Sequence, residues 1–226
     1  MSNKIIANIP NAITCLNITS GCVAVAFAFA GRFDLASVAI CAAALFDFLD
    51  GAAARLLKAY SPMGKELDSL CDVVSFGVAP AAMVYLMLPA PANYFALAIA
   101  VCGALRLARF NVDTRQTDGF IGLPIPANAL FWIGMVALWQ EFPPQASSAW
   151  TYAALVVLVA LTMVAPVHLP SLKFHDCKLS RENNPRFLIV IITVALLFWL
   201  GVPGLAVAIA LYFLYGAVAT LASRKL

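Results

Sequence analysis

The sequence predicts an all-α membrane protein, a single domain over residues 1–226 built as a bundle of about eight transmembrane helices. Hydrophobic residues make up 63% of the chain and charged residues only 11%, whereas soluble domains carry about 25% charged residues. The apolar residues fall into long runs separated by short polar or proline-marked stretches. Most of these runs are near the ~20 residues that a helix needs to cross a bilayer.

The predicted helices follow one another with short connections. Residues 1–12 form an N-terminal segment that we expect to lie at the membrane interface. Turns rich in Gly and Pro separate many of the spans that follow. The predicted spans are residues 13–30, 35–57, 65–88, 94–110, 125–140, 150–168, 187–200 and 204–222. Two of the eight spans are short, and six spans would remain if the last two segments formed a hairpin that does not cross the membrane.

Positive charge predicts the orientation of the bundle. If the N-terminus is cytoplasmic, 13 of the 14 Lys and Arg residues fall on inner segments, and only Arg32 lies outside. Cytoplasmic loops carry an excess of these residues, so we expect both termini and the polar site described next to face the cytoplasm, in the inner or cell membrane. A net charge of +3 is too small to indicate nucleic-acid binding.

Four aspartates lie within or beside strongly apolar segments. Asp47 and Asp50 are three residues apart, and Asp68 and Asp72 are four apart, so each pair occupies one face of a helix. A carboxylate at membrane depth costs about 2.5–3.5 kcal/mol on insertion scales. Four of them can share a low-dielectric site only if cations neutralise them or they take up protons. Oxygen ligands favour hard ions such as Mg²⁺, Mn²⁺ or Ca²⁺ over zinc.

Small residues and one arginine accompany these carboxylates. Gly51 and Ala54 follow Asp50 on nearly the same face, and Gly64 precedes the second pair by about one turn. They leave the backbone bare, so a flat or bulky ligand can approach closely. Arg55 is a fixed cation of the kind that holds phosphate. The stretch therefore predicts a metal–phosphate site at a membrane surface.

Residues 47–72 match the pattern D-x2-D-G-x2-A-R-x8-G-x3-D-x3-D at every fixed position. This pattern resembles the signature of the CDP-alcohol phosphotransferase family. Further segments resemble the branch of that family that uses L-serine. They are I-P-N-A-I-T-C-L-N, S-F-G-V-A-P-A, and L-R-L-A-R-F-N with G-L-P-I-P-A-N-A. The resemblance covers roughly residues 8 to 130. It implies transfer of a phosphatidyl group from CDP-diacylglycerol to L-serine among membrane lipids, with phosphatidylserine and CMP as products, by a homodimer.

The resemblance also implies roles for individual residues. Two divalent ions, Mg²⁺ or Mn²⁺ with Ca²⁺ as an alternative, would be held by Asp47, Asp50, Asp68 and Asp72. The family places its general base at Asp72. Contacts to the CDP part of the lipid would come from Asn11, Thr14, Gly51, Ala54, Arg55 and Gly64. The acceptor or the lipid phosphate would contact Arg106, Arg109 and Ser75.

Polar residues outside the aspartate cluster have two interpretations each. Asn11, Thr14 and Asn17 recur at three-residue spacing on one helix face. They contact the pyrophosphate or ribose, or they serve only as polar contacts between helices. Arg106 and Arg109 hold the serine carboxylate or the lipid phosphate, or they extend to the membrane surface without touching a substrate.

Three alternative functions stay open. Transfer to glycerol phosphate, inositol or inositol phosphate would demand extra cations near the site when the acceptor is phosphorylated. An intramembrane prenyltransferase also uses aspartates with Mg²⁺, but the sequence contains no D-D-x-x-D run. A cation transporter would hold ions in transit with its carboxylates, and metal-dependent release of CMP distinguishes an enzyme from it.

Overall fold

The computed structural model describes residues 2–112, 119–170 and 184–223, and helices dominate these ranges. They are α1 (Ser2–Phe29), α2 (Phe33–Leu56), α3 (Pro62–Asp72), α4 (Ala79–Met87), α5 (Leu97–Val112), α6 (Ile125–Glu141), α7 (Ala149–Thr162), α8 (Asn184–Leu200) and α9 (Gly204–Ser223). A π-helical turn, Val73–Val78, joins α3 to α4, and short 3₁₀ helices, Ala92–Ala96 and Ala146–Ser148, precede α5 and α7. The predicted all-α membrane bundle is confirmed.

Helices occupy all eight of the predicted spans. In the described part of the chain, five segments are long and apolar enough to cross a membrane: Asn8–Phe29, Phe33–Leu56, Pro62–Met87, Ala92–Val112 and Gly204–Ala222. Two apolar segments are shorter, Ala146–Thr162 and Leu188–Leu200, and α6 has 17 residues. The number of crossings therefore stays a prediction, as does the orientation of the termini. The predicted inner cations Arg115, Lys173, Lys178, Arg181, Arg224 and Lys225 lie outside the described residues.

The first two helices form a hairpin that brings their backbones close together. α1 is continuous through Pro10, so the predicted interfacial segment and the first span share one helix. Gly31 makes the turn to α2 with φ 73°, a conformation that glycine adopts readily. The packed face consists largely of small side chains, among them Ala24, Ala28, Ala36, Ala39 and Ala43, all buried. Small residues let membrane helices approach closely.

A π turn interrupts the segment that carries the second aspartate pair. The segment starts with a cap, because Ser61 Oγ accepts a hydrogen bond of 2.9 Å from the N–H of Gly64. Directly after Asp72, the hydrogen-bond pattern changes, and the N–H of Ala79 bonds to the carbonyl of Val74, five residues back. Such turns are rare and occur frequently at functional sites.

The sixth predicted span, residues 150–168, is wrong at its C-terminal end, because α7 stops at Thr162. The Thr162 carbonyl accepts a hydrogen bond of 3.0 Å from the N–H of Leu123, and the Val167 carbonyl accepts one of 2.8 Å from the N–H of Gly122. Gly122 has φ 79°. These bonds from a distant segment satisfy backbone groups that a further helical turn would otherwise pair.

Two short strands lie beside this turn. β1 (Gly119–Ile121) and β2 (His168–Pro170) pair in antiparallel register, with Phe120 opposite Leu169. The hydroxyl of Thr220 on α9 accepts a hydrogen bond of 2.9 Å from the N–H of His168. The strand pair thus ties the segment before α6 to the last helix, and it is an addition to the predicted all-α bundle.

Candidate active site

The four aspartates come from the C-terminal half of α2 and from α3. Asp50 and Asp72 are buried, with 6% and 7% of their surface exposed. Asp47 and Asp68 are half-buried. The predicted convergence of the two helical pairs is therefore present, although the two helices contribute one deeply buried and one partly accessible carboxylate each.

Three of these carboxylates form a compact group. One oxygen each of Asp47, Asp50 and Asp68 lies within 4.8 Å of the others. Asp50 Oδ2 and Asp68 Oδ1 are buried and have no hydrogen-bond partner among the described residues. Buried polar atoms of this kind are normally paired, and an oxygen-only ligand set suits a hard divalent cation. The residues present therefore fit a divalent metal.

Asp72 stands beside this group rather than in it. Its Oδ1 accepts a hydrogen bond of 3.1 Å from Nδ2 of Asn17 on α1. It remains close enough to Asp47 and Asp68 for their charges to interact. The predicted set of four metal ligands thus divides into three grouped residues and a fourth that is held by an amide. Its part as ligand or general base stays a prediction.

An open cleft of about 210 Å³ includes Asp50 and Asp68 in its wall. Its other lining residues are Pro10, Asn11, Thr14, Gly51, Ala54, Ala59, Tyr60, Ser61, Gly64 and Lys65. All the predicted nucleotide contacts except Arg55 therefore lie in one place. Pockets for drug-sized ligands usually measure about 300–1,000 Å³, so this open cleft is smaller than a typical enclosed ligand pocket.

Glycines bring the walls of the cleft together. A Cβ at Gly64 would lie 3.0 Å from Asn11 Oδ1 and equally close to Ser61 Oγ, so α1 approaches α3 where no side chain stands. A Cβ at Gly51 would lie 3.5 Å from Nη1 of Arg55. The exposed Arg55 therefore folds back over Gly51, at the edge of the cleft and outside its lining.

Thr14 connects the first helix to the compact group of carboxylates. It is buried, and its hydroxyl donates a 3.0 Å hydrogen bond to the carbonyl of Pro10 within α1. The same side chain interacts with the carboxylate of Asp50. α1 therefore contributes polar groups to both the cleft and the aspartates.

Arg106 is the buried arginine of α5, with 7% of its surface exposed. Its guanidinium carbon lies 5.7 Å from the ring centroid of Phe110 and 5.9 Å from that of Phe120. It interacts electrostatically with Asp72 and with Tyr212 of α9, and its Nε has no hydrogen-bond partner in the described part of the chain. A buried arginine therefore lies within electrostatic range of the aspartate that stands outside the compact group.

Arg109 and Ser75, the other two predicted acceptor contacts, make structural contacts. Arg109 is exposed, and its Nη1 donates a 3.2 Å hydrogen bond to the carbonyl of Val164, just after α7. Ser75 is fully buried, and its Oγ donates a 3.0 Å hydrogen bond to the carbonyl of Asn17. Of the three predicted residues, Arg106 alone is both charged and buried, and it interacts electrostatically with Asp72.

Several residues of the cleft wall have no counterpart in the predicted site. Tyr60, Ser61 and Lys65 belong to it. Lys65 Nζ donates a 3.1 Å hydrogen bond to the carbonyl of Asn111. The side-chain Nδ2 of Asn111 donates a 2.9 Å hydrogen bond to Ser69 Oγ. The S-P sequence at the start of α3 is a helix-start signal that points to Ser61, whereas no sequence pattern indicates the contact between α3 and the end of α5.

The sequence of the chain is similar to those of known proteins. The family model for CDP-alcohol phosphatidyltransferases matches residues 7–165. A CDP-diacylglycerol–serine O-phosphatidyltransferase of Helicobacter pylori is 32% identical over 216 residues, covering 92% of this chain and 89% of the relative. The enzyme of that name from Methanocaldococcus jannaschii is 35% identical over 215 residues, 94% of each chain. The one from Mycobacterium tuberculosis is 42% identical over 146 residues, 59% of this chain and 50% of the relative.

The family membership predicted from the signature at residues 47–72 is confirmed. The family model spans more than half of the chain, and five residues of the signature line one cleft of an apolar helix bundle: Asp50, Gly51, Ala54, Gly64 and Asp68. This is an integral membrane protein, and it belongs to the CDP-alcohol phosphatidyltransferase family.

Proposed function

We propose that the protein transfers the phosphatidyl group of CDP-diacylglycerol to L-serine and releases CMP. The observation that carries this proposal is the compact group of three signature aspartates, Asp47, Asp50 and Asp68, two of which, Asp50 and Asp68, line an open cleft. Relatives named for this reaction match almost the whole chain. Arg106, which is buried and interacts electrostatically with Asp72, would supply a partner for the carboxylate of an amino-acid acceptor.

Divalent-metal dependence is a property of this family. We propose two ions, Mg²⁺ or Mn²⁺ with Ca²⁺ as the alternative, held by Asp47, Asp50, Asp68 and Asp72. When bound, the metal supplies positive charge that stabilises the diphosphate and the departing CMP. The unpartnered oxygens of Asp50 and Asp68 support this assignment.

The protein's own residues position the two substrates. Asn11, Thr14, Gly51, Ala54 and Gly64 form the surface for the diphosphate and ribose, and Arg55 supplies a charge at its edge. Arg106 pairs with the serine carboxylate, because a guanidinium binds a carboxylate through two parallel hydrogen bonds. Asp72 takes the proton from the serine hydroxyl. The serine oxygen then forms its bond to phosphorus while the bond from phosphorus to the CMP oxygen breaks.

We infer that the cleft and both termini face the cytoplasm of the cell. Arg55, Lys58 and Lys65 lie near the cleft, whereas Arg32 lies at the other end of α2 and pairs with Asp34 at 3.5 Å. This distribution follows the positive-inside rule. In a cysteine-free background, a Cys at the exposed position of Tyr60 should resist an impermeant maleimide in intact cells, and a Cys at Gln145 should react. The opposite pattern would reverse the orientation.

We also propose that the protein is a homodimer with a complete site in each protomer, as the family resemblance implies. The described site residues all come from one chain, and many large apolar side chains are exposed on its helices. Native mass spectrometry in mild detergent should give the mass of two chains. A monomer under those conditions would contradict this assembly.

An acceptor screen with purified protein tests the proposed reaction. CDP-diacylglycerol and Mg²⁺ or Mn²⁺ are supplied with serine, glycerol phosphate, inositol or inositol phosphate, and lipid products are identified by mass. We expect phosphatidylserine and stoichiometric CMP. A different favoured acceptor would contradict the assignment of serine while preserving the transfer chemistry, and absence of CMP release with every acceptor would contradict the transfer itself.

The metal-binding assignment predicts a large effect for Asp50→Ala. Removing a residue that only orients a metal ligand already costs about 10–100-fold, so loss of a direct ligand should lower kcat by at least about a hundredfold. Asp34→Ala is the matched control, because Asp34 lies on the same helix, and its side chain is 62% exposed. Full activity of Asp50→Ala, or of the wild type in EDTA, would refute the metal requirement.

The different environments of the two α5 arginines predict different effects of Arg→Lys. A lysine cannot reproduce the two-pronged contact, and a charged hydrogen bond contributes about 1.5–3 kcal/mol. Arg106→Lys should therefore raise the KM for serine roughly ten- to a hundredfold, with the KM for CDP-diacylglycerol nearly unchanged. Arg109→Lys should change neither KM by more than about threefold, since Arg109 bonds to the Val164 carbonyl.

Steady-state kinetics with each substrate varied in turn measure this difference. An equal rise of both KM values in Arg106→Lys would make Arg106 a lipid-phosphate ligand. If Arg106→Lys changes neither KM, the serine pocket lies elsewhere. A larger effect of Arg109→Lys than of Arg106→Lys on the KM for serine would mean that Arg109, and not Arg106, binds the serine carboxylate.

A further inference from the structure

We infer that Asn17 of α1 is a positioning residue that fixes the orientation of the Asp72 carboxylate. Asn17 lies outside the signature at residues 47–72, and it does not line the cleft of the proposed nucleotide contacts. The inference rests on the proposed function, in which Asp72 accepts the proton of the serine hydroxyl.

The first observation is a hydrogen bond between two buried side chains. Asn17 Nδ2 donates to Asp72 Oδ1 at 3.1 Å across 55 residues of sequence. Asn17 is fully buried, and Asp72 is 7% exposed. An ionised carboxylate only accepts hydrogen bonds, so the amide must present its N–H group to Asp72. The bond therefore holds one carboxylate oxygen and leaves the other, Oδ2, for the metal and the acceptor.

The second observation is that the backbone on both sides of this bond is held in place. The carbonyl of Asn17 accepts a 3.0 Å hydrogen bond from Ser75 Oγ. One turn further along α1, a Cβ at Gly21 would lie 2.7 Å from the Cα of Ser75. The two helical segments therefore cross in direct contact immediately after Asp72, at the start of the π turn, which leaves Asn17 little freedom to move relative to the carboxylate.

The third observation is that packing alone does not explain an amide at position 17. Asn17 Oδ1 is buried and has no hydrogen-bond partner among the residues that the structure describes. A buried polar atom without a partner lowers stability. An apolar side chain of the same size would fill this space without that cost. The benefit of the amide therefore lies in its bond to Asp72.

Catalysis depends steeply on such positioning, since a displacement of about 1 Å can cost about a hundredfold in rate. Asn17→Leu keeps the approximate size of the side chain and removes the donor. We expect kcat to fall about ten- to a hundredfold, with the KM for CDP-diacylglycerol within about threefold of wild type. Mn²⁺ affinity, measured by electron paramagnetic resonance without substrate, should fall by about tenfold or more. Tm should change by less than about 5 °C, because the variant removes the unpaired Asn17 Oδ1 but leaves Asp72 Oδ1 without its donor.

Thr19→Val is the matched control. Thr19 is exposed on the same helix, and its hydroxyl donates only to the carbonyl of Cys15 at 2.7 Å. Its kcat, KM and Mn²⁺ affinity should equal those of wild type. Turnover is followed as CMP release with whichever acceptor the wild type uses, so a wrong choice of acceptor leaves this test intact.

A wild-type kcat and Mn²⁺ affinity in Asn17→Leu would overturn the inference. So would a lower Tm with unchanged kcat per folded molecule, because that result describes a purely structural residue. Asn17→Ala provides a second variant with a smaller side chain. If neither variant folds, Asn17 serves the stability of the bundle and the positioning role is rejected.

Discussion

Mutual repulsion among buried carboxylates is the constraint on which the rest of this site depends. Asp47, Asp50 and Asp68 bring oxygens within 4.8 Å of one another, and Asp72 stands close enough for its charge to add to theirs. At low dielectric such charges destabilise one another unless cations enter. In the proposed function, the bare surface at Gly51 and Gly64 would admit a metal-bound diphosphate, and the basic residues at the edge of the cleft would balance its charge.

The close crossing of α1 with the segment after Asp72 determines how the four carboxylates are arranged. Gly21 and Ser75 let the backbones touch, and the π turn starts at the same point. One aspartate is thereby separated from the compact group and joined to Asn17. The buried Arg106 interacts electrostatically with Asp72. In the proposed function, the compact group would hold the metal and the diphosphate, and Arg106 would bind the carboxylate of the acceptor. This separation is what the proposed transfer between two different substrates requires.

The sequence predicted the bundle and the carboxylate site because both depend on local patterns. Apolar runs of bilayer length predict helices, and three- and four-residue spacing places Asp47 with Asp50 and Asp68 with Asp72. Features that depend on contacts between distant segments have no local pattern in the sequence, so they could not be predicted from it. The early end of α7 depends on hydrogen bonds to Gly122 and Leu123. Arg106 and Arg109 look alike in L-R-L-A-R-F-N, and only tertiary packing makes one buried and the other an exposed partner of the Val164 carbonyl.

Unfolding temperature as a function of Mg²⁺ tests the central claim, that metal relieves repulsion among these aspartates. Ligand that binds only the folded state stabilises it by about 2.7 kcal/mol at a hundred times its Kd, so the Tm of the wild type should rise by about 5 °C or more. Asp68→Asn, which removes one charge at constant shape, should unfold at a higher temperature than wild type in EDTA and respond far less to Mg²⁺. A wild-type Tm indifferent to Mg²⁺, or an Asp68→Asn variant less stable than wild type in EDTA, would contradict the account.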